Sequence, residues 1–596
     1  KRMVKAGINY YEFKYREADY GPYPKGLMYY LTMMDSWLYD ETKPFIHIEA
    51  GDTFDELKKN ARNGYFEKLI KEYLLDNNHK SIISLVPEYG LEKEKEQKEA
   101  DKLAEYKSTL TNDELEELVK KTKELKEYQD TPSSQEDLEK IPMLELSDIK
   151  REPAKDYNDV KSVDGIKIVH HNIFTNKIAY INMSFDTKCV PDELIPYMGL
   201  LGSTLSLMDT KNYTYPELTN EININCGGLA TGTALYSDKV DFSKNTIVYE
   251  VKSKVLYEKV PFVLGMMEEI MYNTRFDDYK RLKEIIARIK SRLEASLMGQ
   301  GHSIAMLECC AQFSESAYYS DILRGYKYYE FIKKLDEEFE QNKTQIVDKL
   351  NKLVGYIFNK DNVIVSLTAD DEGYDCFVKA LSAKSCNIKD EHYNTAVRSF
   401  IPVNVKTGYT SASQVQYVAR CGNFVKDGYK YTGALKVLKV IFSYDYLWIN
   451  VRVKGGAYGC MSGSSRNGDF YMVSYRDPNL EKTNDIYEGA ADYIRNFDVS
   501  RRDMVKFIIG TIGEIDAPLT PSAIGSRSFT HYMCNCTEDM LRKDREEVLD
   551  ATVESIRELA PLIESAVVQN YLCVVGNQKQ INEAADLFDE IKPLIG

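Results

Sequence analysis

One pattern recurs three times in this chain: a helix with regularly spaced apolar residues, an asparagine, a short strand rich in β-branched residues, and a polar turn. The three copies are 65-YFEKLIKEYLLDNNHKSIISLVPE, 346-IVDKLNKLVGYIFNKDNVIVSLTADDEGYDCFVKAL and 559-LAPLIESAVVQNYLCVVGNQKQINEAADLFDEI. Each copy is typical of the last part of a domain. The sequence therefore predicts the end of one domain followed by two complete domains of about 200 residues, a common size, and we expect the chain to be a fragment of a longer protein.

A segment dense in Glu and Lys, residues 91–130, separates the first copy from the next domain. It predicts two helices, the second of which begins with a capping box formed by Thr111 and Glu114. This second helix carries an apolar stripe that we expect to be buried against the partner helix, made of Leu115, Leu118, Val119 and Leu125. Composition alone leaves open whether the helical hairpin is a hinge between two large bodies or only a solvated, charged excursion.

The order of strands and helices predicts the fold class. Residues 164–187 alternate apolar and polar side chains on both sides of Thr175-Asn176, which predicts a β-hairpin. Helices are predicted near 192–208 and 213–225, strands up to Val251, and a helical tract over 258–350. The last domain repeats this order, with strands at 414–420 and 470–475 and a helix at 428–447. Grouped strands followed by helices indicate an α+β fold with a mainly antiparallel sheet.

Composition excludes several classes of partner. The chain has 596 residues, with 77 Lys plus Arg against 93 Asp plus Glu and a formal charge of -16. This acidic balance repels phosphate backbones, so we expect no nucleic-acid partner. No apolar run approaches the roughly 18 to 20 residues that span a bilayer, so we expect no membrane partner. Eleven scattered cysteines indicate buried thiols in a reducing compartment, and we expect a cytoplasmic protein.

No motif in the sequence forms a complete active site. The paired glycines at 227–228 and 455–456 match neither phosphate-binding fingerprint, and the serines of 462-SGSSRNG form no nucleophile elbow. None of the seven histidines lies in an HExxH or HxxEH helix. His170 and His171 alternate along a predicted strand, so we expect one to be exposed and one to be packed. The remaining candidate for a soft metal is His531 with Cys534 and Cys536, which we interpret as ordinary packing residues.

The stretch 450-NVRVKGGAYGCMSGSSRNGDFYMVSYRDPNL-480 resembles the last domain of the insulinase/pitrilysin family of zinc metallopeptidases. The similarity to the presequence protease and falcilysin branch extends over essentially the whole chain, including 65-YFEKLIKEYLLDN, 131-TPSSQEDLEKIPMLELSDIKREP and 323-LRGYKYYEFIKKL. The resemblance implies four homologous α+β domains in two halves, joined by a helical hinge and closed around a peptide chamber. It divides this chain into the C-terminal part of domain two (1–87), the hinge or linker (88–155), a catalytically silent domain three (156–390) and domain four (391–596).

The resemblance also implies where zinc binds. The HxxEH motif of the family belongs to domain one, so the metal would be held by the N-terminal half, and this chain would hold no cofactor. The homologous helix of domain three begins at 196-PYMGLL, where Tyr197, Leu200 and Leu201 occupy the ligand positions. Such side chains cannot ligate zinc. The chain alone is therefore expected to be inactive and to need the N-terminal half as its partner.

Arg452 and Tyr458 are the residues that the resemblance makes catalytic. In the family, the corresponding pair reaches the scissile peptide bond from the side opposite the zinc, where hydrogen-bond donors stabilise the developing oxyanion. Without the resemblance, Arg452 would be interpreted as a surface ion-pair partner and Tyr458 as a strand aromatic. The leading hypothesis is the C-terminal half of an endopeptidase that degrades unstructured peptides. The alternative is a non-catalytic paralogue that acts as a peptide-binding or scaffold subunit.

Overall fold

The computed structural model describes residues 2–21, 23–86, 88–131, 133–383 and 386–595. The chain divides into two compact units: the residues up to Arg62 together with those from Ile149 onward, and the segment Asn63–Asp148. The larger unit begins with helices α1 (Arg2–Glu17), α2 (Lys25–Trp37) and α3 (Gly51–Asn60). Helix α1 packs on the body of this unit, where Asn9 Nδ2 donates to the carbonyl of Ile224 at 3.0 Å.

The smaller unit contains α4 (Tyr65–Leu69), continued by a π-helical segment (Ile70–Leu75), and then α5 (Leu91–Thr109), α6 (Asn112–Asp130) and α7 (Gln135–Glu139). The two charged helices and the capping box of Thr111 and Glu114 are confirmed. The expected burial of the apolar stripe is wrong, because Leu118, Val119 and Leu125 are 44%, 53% and 55% exposed. Helix α5 is charged around its circumference and offers no apolar face against which the stripe could pack.

The strand expected in the first copy of the recurring pattern is also absent from the described residues 80–86. Ile82 and Leu85 in this segment are almost fully exposed. A strand needs a neighbour for its backbone N–H and C=O groups, and both sheets found among the described residues are formed entirely by strands of the larger unit. An apolar β-branched sequence alone therefore does not produce a strand.

The first sheet has the order β1-β2-β6-β3-β5-β4 and is antiparallel except for the β2–β6 pair. Its strands are β1 (Asp159–Val163), β2 (Ile166–Asn172), β3 (Ile178–Asp186), β4 (Leu229–Ser237), β5 (Asn245–Leu256) and β6 (Val363–Ala369). The hairpin predicted at Thr175-Asn176 is wrong, because β6 lies between β2 and β3. A hairpin instead joins β1 to β2 through Asp164-Gly165, both with positive φ (51° and 80°), as a tight two-residue turn requires.

The second sheet has the order β12-β7-β11-β8-β10-β9. Its strands are β7 (Thr407–Ser411), β8 (Tyr417–Asn423), β9 (Gly459–Ser464), β10 (Asp469–Tyr475), β11 (Tyr571–Asn577) and β12 (Glu590–Pro593). Most of its pairs are antiparallel, and β7 pairs in parallel with β11 and β12. In both sheets the strand of the recurring pattern, β6 or β11, is inserted between two earlier strands. The α+β fold with mainly antiparallel sheets is confirmed.

Helices cover both sheets. The first half of the larger unit contains α8 (Ile195–Thr204), α9 (Tyr215–Asn225), α10 (Val260–Tyr272), α11 (Tyr279–Gly299), α12 (Gly301–Ala311), α13 (Glu315–Arg324), α14 (Tyr326–Glu337), α15 (Phe339–Ile357) and α16 (Asp371–Ser382). The second half contains α17 (Ala434–Ile441), α18 (Glu481–Glu488), α19 (Ala490–Arg495), α20 (Arg501–Ile515), α21 (Pro521–Met533), α22 (Glu538–Leu549), α23 (Val553–Arg557), α24 (Ala560–Val568) and α25 (Gln578–Glu583).

Each sheet is covered on one face by a helix from the other half of the unit. Helix α12 packs on β8, β10 and β11 of the second sheet, and α21 packs on β2 and β6 of the first. A glycine permits each close approach. A Cβ on Gly301 would lie 2.3 Å from a ring carbon of Tyr417, and a Cβ on Gly525 would lie 1.8 Å from Oγ1 of Thr368. Each sheet therefore packs against a helix that belongs, in sequence, to the other half of the larger unit.

This exchange corrects the expectation for His170 and His171, because both side chains are buried. The ring of His170 lies 4.7 Å from that of Tyr374 in α16, and the ring of His171 lies 6.3 Å from that of Phe529 in α21. Strand β2 is thus covered on both faces. The sequence could not reveal the second cover, since Phe529 is more than 350 residues away in the sequence.

Candidate functional site

The helix that carries Arg452 begins at Ala434 and ends at Val453, so it lies six residues further along the chain than the predicted 428–447. Helix α17 continues through π-helical segments at Phe442–Tyr446 and Trp448–Val453. Arg452 therefore lies at the C-terminal end of a helix and not in the loop that follows it. π-Helical segments are rare and occur frequently at functional sites. The wider spiral still places Trp448 one turn before Arg452, on the same side of the helix.

Gly455 and Gly456 end this helix with two nested hydrogen bonds. The N–H of Gly456 donates to the carbonyl of Arg452 at 2.8 Å, and the N–H of Ala457 donates to that of Val451 at 3.1 Å. Gly456 has φ +84°, and a Cβ on Gly455 would lie 2.4 Å from the Val451 oxygen. Both positions thus favour glycine. The glycine pair turns the chain so that Arg452 and Tyr458 lie side by side.

The guanidinium of Arg452 stacks between two aromatic rings. Its Cζ lies 4.0 Å from the ring centroid of Trp448 and 5.7 Å from that of Tyr458. Within the described residues no carboxylate lies within 4.0 Å of it, and its N–H groups have no hydrogen-bond acceptor. A partly buried arginine that is held only by stacking keeps its donors available for a ligand.

Tyr458 immediately precedes strand β9, and its backbone N–H donates to the carbonyl of Arg476 at 3.2 Å. The side chain is 65% exposed, and its ring packs edge-on against Tyr475 with centroids 5.9 Å apart. The hydroxyl has no hydrogen-bond partner in the described part of the chain. Arg452 and Tyr458 therefore present unpaired donors from one small surface.

A buried carboxylate, Asp477, follows Arg476, whose carbonyl accepts the hydrogen bond from the Tyr458 backbone. Asp477 is fully buried, and its backbone exchanges two hydrogen bonds with Gln416, at 2.7 and 2.9 Å. Its carboxylate accepts from Thr483 Oγ1 at 2.7 Å and from the backbone N–H of Asn479 at 2.9 Å. Burial raises the pKa of Asp477, and these hydrogen bonds oppose that shift. Sequence analysis missed this residue, although an aspartate followed by proline just before a helix signals a turn or cap.

The other half of the larger unit reaches the same surface through His302. This residue lies in the first turn of α12, and its ring packs edge-on against Tyr475 with centroids 4.9 Å apart. Burial lowers the pKa of His302. The contact joins residues that are far apart in the sequence, so no local pattern could have indicated it.

The residues of α8 at the positions of the zinc ligands do not fit a metal. Tyr197, Leu200 and Leu201 are buried in the core of the first sheet. The Tyr197 hydroxyl accepts a hydrogen bond from Lys349 Nζ at 3.1 Å. Leu200 and Leu201 have no side-chain atom that could bind zinc, so this helix cannot hold a catalytic zinc ion.

The alternative set, His531 with Cys534 and Cys536, is not brought together as a ligand group in the described residues. His531 Nδ1 lies 2.7 Å from Asp156 Oδ2, and Cys534 packs in a small apolar cluster with Phe529. One grouping does place three possible ligand atoms within 4.8 Å of one another: Asp361, Asp390 and His392. All three side chains are exposed, and His392 pairs with Asp361. Sequence analysis did not identify this surface group.

Comparison with known proteins identifies the class. Residues 85–335 match a family model described as associated with peptidase family M16, subfamily C, and residues 408–577 match that of the PreP C-terminal domain. The chain belongs to the insulinase family of peptidases, M16, and within it to the presequence-protease-like branch.

Two curated relatives are similar over nearly the whole chain. Protein HypA of Clostridium perfringens (strain 13) is 40% identical over 100% of this chain and 61% of its own length. Presequence protease 1, chloroplastic/mitochondrial, of Arabidopsis thaliana is 30% identical over 99% of this chain and 56% of its own length. The chain thus spans little more than half the length of these relatives.

The crystal structure of a peptidase M16 inactive domain from Pseudomonas fluorescens is similar at 14% identity, with a TM-score of 0.48, over 73% of this chain and 98% of that chain. No helix among the described residues has both the length and the apolar character to cross a membrane.

Proposed function

We propose that this chain is the C-terminal part of a zinc-dependent metalloendopeptidase that degrades unstructured peptides in an enclosed chamber. It would supply chamber wall and hydrogen-bond donors, while residues outside the present sequence would bind the zinc. The observation that carries the proposal is the pair of Arg452 and Tyr458, whose side-chain donors are unpaired and adjacent. Arg452 and Tyr458 are held in place by aromatic packing, and their side chains donate no hydrogen bond within the described residues. A purely structural role does not explain these free donors.

The two side chains suit different parts of the reaction. The Tyr458 hydroxyl is a single exposed donor on a packed ring, suited to the oxygen of a scissile carbonyl as negative charge develops there. The Arg452 guanidinium offers several donors in a planar fork, suited to a neighbouring peptide carbonyl in the bound substrate. Tyr458 would then act mainly on the transition state, and Arg452 on both binding and the transition state.

The relatives support the same reading. The Arabidopsis relative is named a presequence protease of chloroplasts and mitochondria, and a peptide chamber is consistent with a protein of that name. For this chain we propose a reducing, cytoplasmic compartment, since its eleven cysteines are all free. The N-terminal half with the zinc site and unstructured peptides would be its partners.

Tyr458→Phe in the full-length protein tests the proposal. The substitution removes one hydroxyl and leaves the ring packing intact, so kcat should fall on the order of tenfold to a thousandfold with KM little changed. Arg452→Lys keeps the charge but loses the planar fork, so KM should also rise. Zinc content should not change in either variant.

Tyr444→Phe is the control, because Tyr444 is a similarly exposed tyrosine (68%, against 65% for Tyr458) on the helix that carries Arg452. It should keep wild-type kinetics. If Tyr458→Phe and Arg452→Lys are folded and equally active, the pair is structural. If the full-length wild type binds peptides but never cleaves them, the chain belongs to a non-catalytic, peptide-binding paralogue.

A further inference from the structure

Arg476 has a backbone conformation that arginine rarely adopts. Its φ is +50°, in the left-handed region that glycine and asparagine enter most easily. The chain turns at this residue, because the carbonyl of Arg476 accepts from the N–H of Tyr458 while Asp477 turns inward to bond with Gln416. Glycine or asparagine would make the same turn at lower cost. An arginine in such a position indicates that its side chain has a function.

The side chain of Arg476 lies against the same aromatic ring as Tyr458. Its Cζ is 5.5 Å from the ring centroid of Tyr475, and the ring centroid of Tyr458 is 5.9 Å from that of Tyr475. Burial raises the pKa of the nearby Tyr417, and the guanidinium of Arg476 opposes that shift. Both Arg476 and Tyr458 are exposed. They are therefore neighbours on one accessible surface.

No acidic side chain of the described residues neutralises this surface. Neither Arg476 nor Arg452 has a carboxylate oxygen within 4.0 Å in the part of the chain that the structure describes. The carboxylate that follows in sequence, Asp477, is fully buried and hydrogen-bonded inside the protein. The chain as a whole carries a formal charge of -16. Two arginines without an acidic partner thus form a local positive surface that would attract an anion.

A carboxylate is the anion that a peptide offers. The planar guanidinium of arginine binds it through two parallel, charge-assisted hydrogen bonds. Arg476 and Tyr458 share Tyr475 as a neighbour, and an extended peptide advances about 3.4 Å per residue. A carboxylate at Arg476 would therefore lie within about four residues of the carbonyl that contacts Tyr458.

We propose that Arg476 is a specificity-determining residue that binds a carboxylate of the substrate peptide, either an acidic side chain or the free C-terminus. The inference rests on the proposed function and deepens it, because Arg476 would select among the peptides on which Tyr458 acts. The arginine would contribute to binding of the substrate, whereas the tyrosine contributes to turnover.

Three fluorescein-labelled, unstructured ten-residue peptides test the proposal with the full-length protein. The first is uncharged and amidated at its C-terminus, the second carries one central glutamate and is also amidated, and the third is the uncharged sequence with a free C-terminus. Binding is read by anisotropy in the presence of chelator, so that no peptide is cleaved. The wild type should bind one of the two acidic peptides about three- to tenfold more tightly than the neutral one. The peptide that gains affinity identifies the source of the carboxylate.

Arg476→Gln should abolish this preference and bind the neutral peptide as the wild type does. Arg476→Asn should do the same, and because asparagine suits the left-handed backbone, it separates loss of the guanidinium from backbone strain. Arg476→Lys keeps the charge and should keep part of the preference. Lys482→Gln is the control for net charge, because Lys482 is exposed and lines a different cavity, beside Asn577. It should keep the full preference.

A wild type that binds the three peptides equally would overturn the inference. So would an Arg476→Gln variant that keeps the preference or that loses the same affinity for all three peptides, and so would a Lys482→Gln variant that loses the preference. These binding readouts are independent of turnover. Tyr458→Phe should lose turnover and keep the preference, whereas a protein that discriminates through Arg476 but cleaves no peptide would overturn the proposed function alone.

Discussion

The guanidinium of Arg452 lies 4.0 Å from the ring centroid of Trp448. Among the described residues, no carboxylate forms an ion pair with Arg452, so the contact with the indole is what positions it. Replacing Trp448 by leucine should therefore release Arg452 without touching a substrate contact. A cation–π contact contributes about 0.5 to 2 kcal/mol, which corresponds to a roughly 2- to 30-fold loss in kcat/KM. Steady-state kinetics of the full-length protein measure it. Trp448→Phe retains an aromatic face and should retain most of the activity, and equal losses in both variants would contradict the stacking role.

Gly301→Ala tests the contact between α12 and the second sheet. The added methyl would lie 2.3 Å from a ring carbon of Tyr417, which is itself packed. Overpacking of this kind costs about 1 to 3 kcal/mol of unfolding free energy. Gly513→Ala is the control, because Gly513 lies within α20 with nothing within 4 Å of the position of a Cβ. It should be neutral or stabilising by up to about 1 kcal/mol. Denaturant titrations compare the two, and a neutral Gly301→Ala would show that α12 can move away.

His171 should make stability depend on pH. Burial lowers the pKa of His171 from 6.5 to about 4, although its hydrogen bond to the carbonyl of Tyr157 opposes this shift. Above pH 6.5 the histidine is neutral in both the folded and the unfolded chain. Between pH 6.5 and about 4 the unfolded chain binds the proton and the folded chain does not, so stability falls as pH falls.

The loss from His171 alone should be about 2 kcal/mol between pH 6.5 and pH 5. His171→Gln keeps polar atoms near Tyr157 and Ser366 but does not titrate, so its stability should depend less steeply on pH. Urea titrations at pH 7 and pH 5 measure the difference. The same slope in the variant and the wild type would assign the pH dependence to other groups, of which His170, also with a lowered pKa, is the first to test.

The isolated chain should bind no stoichiometric catalytic zinc and should cleave no peptide. Of the three residues of α8 at the ligand positions, Leu200 and Leu201 have no metal-binding atom. Elemental analysis of the purified chain, together with a peptidase assay with and without chelator, measures this. One tightly bound zinc per chain with chelator-sensitive activity would contradict the assignment of the metal to another part of the protein.

Local patterns were sufficient to predict the helices over 192–225 and 258–350 and several of the strands, but they gave no prediction for α1, α2 and α3. The helix, asparagine and strand of the recurring pattern are present as α15 with β6 and as α24 with β11. The same patterns could not predict which strands are neighbours. Alternation along residues 166–186 indicates which face of a strand is buried, but not that β6, almost 200 residues later, lies between its two strands.

The candidate site was predicted in part for the same reason. Arg452 and Tyr458 came from a family resemblance, and the glycine turn between them from local sequence. The packing around the pair could not be predicted from local sequence. His302 contacts Tyr475 only because α12 packs on the second sheet. The π-helical segments that place Trp448 under Arg452 also have no sequence signature that we recognise.

The exchange of α12 and α21 between the two sheets has a consequence for biosynthesis. The first sheet is complete once Ala369 has left the ribosome, but its cover, including Phe529, is made only when α21 follows. At the usual pace of translation this interval is on the order of ten seconds. During that time Val169 and Val248, which later pack against α21, face solvent or a chaperone. The nascent chain cannot finish its first half before its second, so a stall between residues 370 and 520 would leave an apolar sheet exposed.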